Sequence, residues 1–192
     1  MEDLKLLSRP VNYLTYSVAA RDGREHEVEV YFEASPRWAL DQPYQQSASK
    51  GYEADGLLYL KSGSKEQNIL AKQGDDLRID WGYFYMVAGK ENTAYSVGNS
   101  TELRKNFVNG TLNSASLEGE DSNGNMALVR SHGKVKNVTD KIMLGYDDIY
   151  SIQYFGTNLR PYWNSKGDRT IEAEMLAAYL SLIHISEPTR PY

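Results

Sequence analysis

Two stretches of alternating apolar and polar residues, 11–20 (VNYLTYSVAA) and 25–35 (EHEVEVYFEAS), flank Asp22-Gly23 near the start of the chain. Alternation with period two marks strands that bury one face, and Asp-Gly between them is a strong turn signal. The pattern predicts a β-hairpin, and its register can be argued. A two-residue loop would set Leu14 opposite Tyr31 and Tyr16 opposite Glu29, mixing apolar and charged groups on one face. A three-residue loop, Arg21-Asp22-Gly23, pairs Leu14 with Val30, Tyr16 with Val28 and Val18 with His26, and leaves Glu25, Glu27 and Glu29 on the other face. A one-residue slip turns every side chain over, so the second register is expected, with Gly23 left-handed in a type I turn and G1 bulge.

Further strands are expected at 56–61 (GLLYLK), 76–87 (DLRIDWGYFYMV), 126–131 (MALVRS) and 149–155 (IYSIQYF). Residues 42–55 read as irregular, and 112–125 (LNSASLEGEDSNGN) as an exposed polar loop. With 15 tyrosines and no cysteine, the chain favours strands and excludes disulfides, a Cys nucleophile and thiolate-bound zinc. Short strands separated by Gly, Asn, Asp and Ser turns predict an all-β, antiparallel sandwich. The pattern changes at Asp168, where DRTIEAEMLAA places Ile171, Met175 and Ala178 on one helical face, with Asp168 as the expected N-cap. A β-sandwich domain is therefore expected over residues 1–167, and the opening of a linker or helical domain over 168–179.

The formal charge of −5 and pI of about 5.3 argue against nucleic acid as partner, since phosphate binding needs clustered Lys and Arg. No stretch approaches the roughly 20 apolar residues of a membrane span, and the first ten residues carry no signal-peptide apolar core. Three histidines, widely spaced, predict no metal site and no Ser-His-Asp arrangement, and no cofactor motif is present.

Asp76, Arg78 and Asp80 fall at i, i+2 and i+4 on the expected strand, opposite Leu77, Ile79 and Trp81. An Arg between two carboxylates forms either a polar cluster at a domain interface or a surface ion-pair ladder. Asp147 and Asp148 could serve as acid and base or bind calcium, but adjacent strand residues point to opposite faces, so a turn is expected there. Trp81, Tyr83 and Tyr85 share a stripe and, with Trp163, Trp38, Tyr154 and Tyr162, make either a sugar-stacking aromatic surface or ordinary core.

Residues 180–190, LSLIHISEPTR, resemble the translation of a transposase adapter used in preparing sequencing libraries. Residues 180–192 are accordingly expected to be foreign to the natural chain, which would continue differently past residue 179.

Four segments in order, 12–32 (NYLTYSVAARDGREHEVEVYF), 38–46 (WALDQPYQQ), 74–85 (GDDLRIDWGYFY) and 152–163 (IQYFGTNLRPYW), resemble the β-rich domain of the bacterial and fungal glutaminase A family. The resemblance covers roughly residues 6–179. It implies a large β-sandwich that precedes a toroid of helical hairpins carrying the active site, an exported protein, and hydrolysis of L-glutamine to glutamate and ammonia by the parent. It implies no catalytic residue within this chain, whose partner would be the helical domain. The alternative is a carbohydrate-binding or accessory sandwich, because the same architecture occurs in carbohydrate-active enzymes.

Overall fold

The computed structural model describes residues 4–112 and 124–186, with side chains to residue 181. In chain order the elements are α1 (Leu4–Leu7), β1 (Val11–Ala19), β2 (His26–Ala34), β3 (Ser47–Ala54), β4 (Leu57–Ser64), β5 (Tyr83–Gly89), β6 (Thr93–Gly98), α2 (Ser100–Val108), β7 (Asn125–Val135), β8 (Asn137–Asp147), β9 (Ile152–Tyr154), β10 (Thr157–Leu159) and α3 (Ile171–Ser186). A five-stranded sheet in the order β1-β8-β5-β4-β3 faces a three-stranded sheet in the order β2-β7-β6, and β9-β10 form a separate ribbon. All pairings are antiparallel. The sandwich expected from the strand pattern is the fold observed.

The hairpin expected around Asp22-Gly23 does not form. β1 pairs with β8 in one sheet and β2 with β7 in the other. Gly23 does take the left-handed conformation, with φ of 71°, but its turn joins two sheets. The β7–β8 connection crosses beside it, and Ala20 N–H donates to Lys136 O at 2.8 Å. The reason is physical. Hairpin pairing would gather both apolar faces on one side and leave them uncovered. Splitting the strands lets the faces meet across the sandwich, with Tyr16 and Phe32 ring centroids 5.3 Å apart. Opposite the Val28/Glu29 step, β7 carries an extra residue, His132, as a bulge.

Between the sheets lies a core of Leu58, Leu60, Phe84, Met86, Ile142, Met126 and Leu128. The other face of the five-stranded sheet is covered as well. There Leu57, Tyr59, Tyr85, Val87 and Met143 pack against Ile171, Met175 and Ala178 of α3. Burial on both faces explains why β4 and β5 read as continuous apolar runs rather than as alternation: Leu57, Leu58, Tyr59 and Leu60 are each at most 2% exposed.

Three further departures have identifiable causes. The strand expected over 76–87 begins only at Tyr83, because Gly82 is left-handed, with φ of 75°, against the Asp147 backbone. The irregular segment expected at 42–55 contains β3, whose small residues lack a β signature because they serve close approach. Ser49 bonds to Ser62 at 2.9 Å, and the ring of Tyr95 fills the space beside Gly51. The apolar face of α3 is the expected one, but Thr170, not Asp168, caps the helix by accepting from Ala173 N–H at 3.2 Å. α3 continues through residue 186, into the adapter-like stretch; 187–192 and most of the polar loop at 112–125 lie outside the described residues.

Candidate functional site

The connection from β4 to β5 builds a polar corner of the molecule. Ser64, at the end of β4, donates its hydroxyl to the Asp80 carbonyl, and Gln67 bonds both Gly82 N–H (2.8 Å) and Gly82 O (3.0 Å). These bonds turn the chain so that the Asp80 side chain points inward, where the residue is 1% exposed. Its carboxylate accepts from Gln45 Nε2 at 2.9 Å and from Lys72 Nζ at 3.2 Å. Lys72 also donates to Asp41 at 2.7 Å, and Arg78 reaches the same Asp41 at 3.4 Å. Hydrogen bonding to Lys72 holds the Asp41 carboxyl below the usual range, and the same bond raises the Lys72 ammonium.

Beside this cluster lies a cleft of about 490 Å³, lined by Leu70, Lys72, Leu77, Arg78, Trp81 and Ile152 among others. The far wall is the β9-β10 ribbon. Trp81 fixes it by donating its indole N–H to Tyr150 O at 2.9 Å, while Arg160 lies 4.7 Å from the Tyr150 ring centroid. Both cations of the cleft are already engaged by Asp41, so it offers an anion little net charge. No group of three or more His, Asp or Glu able to hold a metal occurs among the described residues. The arrangement can bind or position a group at the cleft.

The triad expected from strand spacing is thus dispersed. Asp80 is buried, whereas the side chains of Arg78 and Asp76 are 56% and 89% exposed, and their mutual contact is a surface pair at 3.6 Å. The groups that complete the cluster, Gln45, Asp41 and Lys72, come from segments without strand or helix signals. The aromatic set divides between the two alternatives, with Tyr154 and Tyr162 exposed at 61% and 53% and the stripe itself in the core. Trp81, Tyr85 and Trp163 are 9%, 2% and 3% exposed, and Tyr83 is half-buried. Only Trp38, at 65%, presents an indole to solvent. Asp147 and Asp148 diverge as expected: Asp147 accepts from Ile149 N–H at 3.0 Å and Asp148 from the Ser151 hydroxyl at 2.5 Å.

A second polar feature, unforeseen in the sequence, lies on the outer face of the five-stranded sheet, on the side that α3 covers. Lys61 on β4 stands over Tyr83, 3.6 Å from the ring centroid, and near Tyr85 at 5.6 Å. Burial, and then Lys50, depress its ammonium pKa. Tyr52 donates to Glu172 on α3 at 2.6 Å. Only strand pairing brings these residues together.

Fold and sites define the molecule as a two-sheet β-sandwich with an apolar outer face claimed by a helix. The chain belongs to the family described as domain of unknown function (DUF5127), whose model matches residues 1–182. It is similar to a glutaminase A of Aspergillus oryzae (strain ATCC 42149 / RIB 40), at 27% identity over 167 residues. That match takes in 81% of this chain and spans 23% of the length of the relative.

Proposed function

We propose that this chain is the non-catalytic β-sandwich domain of an exported glutaminase-like amidohydrolase, and that it packs against a helical domain of the same longer polypeptide. The parent protein would hydrolyse L-glutamine to glutamate and ammonia, with the chemistry in the helical domain. The observation that carries this reading is the match to a glutaminase A of which the chain spans only 23%. The geometry is in keeping with it: the cluster at Asp80 positions the segment beside the cleft, and the sheet's outer face lies under the helix α3. Export rests on the family resemblance alone.

The test is ammonia release from L-glutamine by the full-length protein and by the 192-residue chain in parallel. Turnover by the former and none by the latter is the expected result. Turnover by the sandwich alone, or none by the full-length protein, would overturn the proposal.

A further inference from the structure

β3 and β4 pair in a register that sets Lys50 directly opposite Lys61. Both ammoniums therefore stand on the outer face of the sheet, where like charges directly opposite each other oppose folding. Each leans on tyrosine: Lys61 over Tyr83 at 3.6 Å, and Lys50 at 5.5 Å from the Tyr52 ring centroid. The ion pairs of the described residues engage Lys72 and Lys90 but neither of these two. The nearby carboxylates Glu172 and Asp147 act on Lys61 only at a distance and form no ion pair with it, Glu172 accepting from the Tyr52 hydroxyl and Asp147 from Ile149 N–H. The result is a half-buried aromatic shelf with two cations and no paired anion.

The shelf is continuous with an interface already formed. α3 covers the adjoining part of the same face with Ile171, Met175 and Ala178, and its first turn meets the shelf at Glu172. We infer that the Lys50–Lys61 shelf is where a further helix of the longer chain docks beside α3, presenting an Asp or Glu carboxylate to the two ammoniums. The inference rests on the reading of this chain as one domain of a larger protein. A carboxylate between the lysines turns a repelling pair into a bridged one, and Tyr83 supplies the apolar floor that a helix needs.

The experiment is a brief acetic anhydride pulse on the full-length protein and on the 192-residue chain, read lysine by lysine by mass spectrometry. Lys50 and Lys61 are expected to label about tenfold more slowly in the full-length protein, the factor that roughly 1.4 kcal/mol of shielding gives. Lys105 on α2 and Lys136 at the β7–β8 corner should label alike in both. Equal labelling of Lys61 in the two forms would overturn the inference. So would protection of Lys61 in the short chain by added acetate or glutamate, which would make the shelf a small-molecule site. Protection that grows with the short chain's own concentration would overturn it as well, by making a second copy the occupant. Failure of this test is separable from failure of the proposed activity: glutamine turnover with an unprotected Lys61 sinks the docking alone, and protection without turnover sinks the activity alone.

Discussion

Arg9 Nε donates to Glu174 Oε2 at 2.9 Å, joining the run-in to the first strand to the helix that closes the outer face. Arg169 Nη1 holds the other carboxylate oxygen at 2.6 Å, so Glu174 sits buried between two guanidinium groups. Removing a buried member of such a cluster leaves charge without a partner, at roughly 3–5 kcal/mol when the partner stays buried. The Arg9 and Arg169 side chains are 21% and 38% exposed and can turn toward water. Glu174→Ala should therefore cost about 2 kcal/mol, below that range. Glu174→Gln, which keeps one acceptor oxygen, loses the charge and sets an NH2 donor against the other guanidinium, should cost only a little less. Urea unfolding midpoints of the two variants check the order.

Acid sensitivity should centre on Glu33. Burial opposes its ionisation, but hydrogen bonds from Ser100, Asn125, Arg104 and Tyr31 outweigh it and bring the carboxyl from 4.5 down to about 2. A folded-state pKa below the unfolded value means stability that is present above the unfolded pKa and lost as pH falls through the folded one. The contribution should be intact at neutral pH, begin to fade below about 4.5 and be gone near 2. Its size at neutral pH should be roughly 1–3 kcal/mol, since an exposed Arg104 is screened by solvent. Stability measured against pH for the native chain and for Glu33→Gln should converge at the acid end. Curves that stay parallel down to pH 2 would refute the assignment.

Which parts of this fold were legible follows from what each signal reports. Period-two alternation states which face of a strand is buried, and Tyr16 and Phe32 do meet between the sheets, although Leu14 on the same face of β1 is 42% exposed. It carries no information on which strand lies alongside, so the same pattern served two strands in two sheets as well as it would have served a hairpin. The helical face of Ile171, Met175 and Ala178 was readable because amphipathic spacing is local. The charge cluster was not: Asp80 gains Lys72, Gln45 and Asp41 only after the β4–β5 connection folds back, and alternation between Asp76 and Asp80 imitated a strand where Gly82 forbids one. Lys50 and Lys61 look like ordinary solvated lysines until the β3–β4 register sets them face to face.

Fluorescence should separate the tryptophans sharply. Trp81 and Trp163 are buried, and Trp38 is 65% exposed with its ring 5.2 Å from Phe84. Iodide should quench only the Trp38 contribution, and Trp38→Phe should leave emission that is blue-shifted and nearly insensitive to iodide. The same variant tests sugar stacking. A glycan that binds through exposed indole must act on Trp38, so binding unaffected by Trp38→Phe would place any such site elsewhere. Comparable quenching of all three indoles would contradict the packing described.

The sharpest contrast should come from two residues that the sequence places on equal footing. Asp80 and Arg78 are two positions apart and were both candidates for one polar face. The Asp80 carboxylate is 1% exposed and answers Lys72 and Gln45, so Asp80→Ala strands a half-buried amide and removes one of the two anions at the ammonium. A buried polar group left without its partner costs about 1–3 kcal/mol, and Asp80→Ala should fall within that range. Arg78 is 56% exposed, lies 3.4 Å from an Asp41 that keeps Lys72, and its loss should move stability by no more than about 0.5 kcal/mol. Because Lys72 keeps one anion when either Asp41 or Asp80 is removed and none when both are, Asp41→Ala combined with Asp80→Ala should cost more than the two single changes added together. Urea unfolding of the four variants measures both claims. Equal losses for Asp80→Ala and Arg78→Ala would restore the strand-like ladder that spacing suggests and would remove the inward turn at Gly82 from the account of this corner.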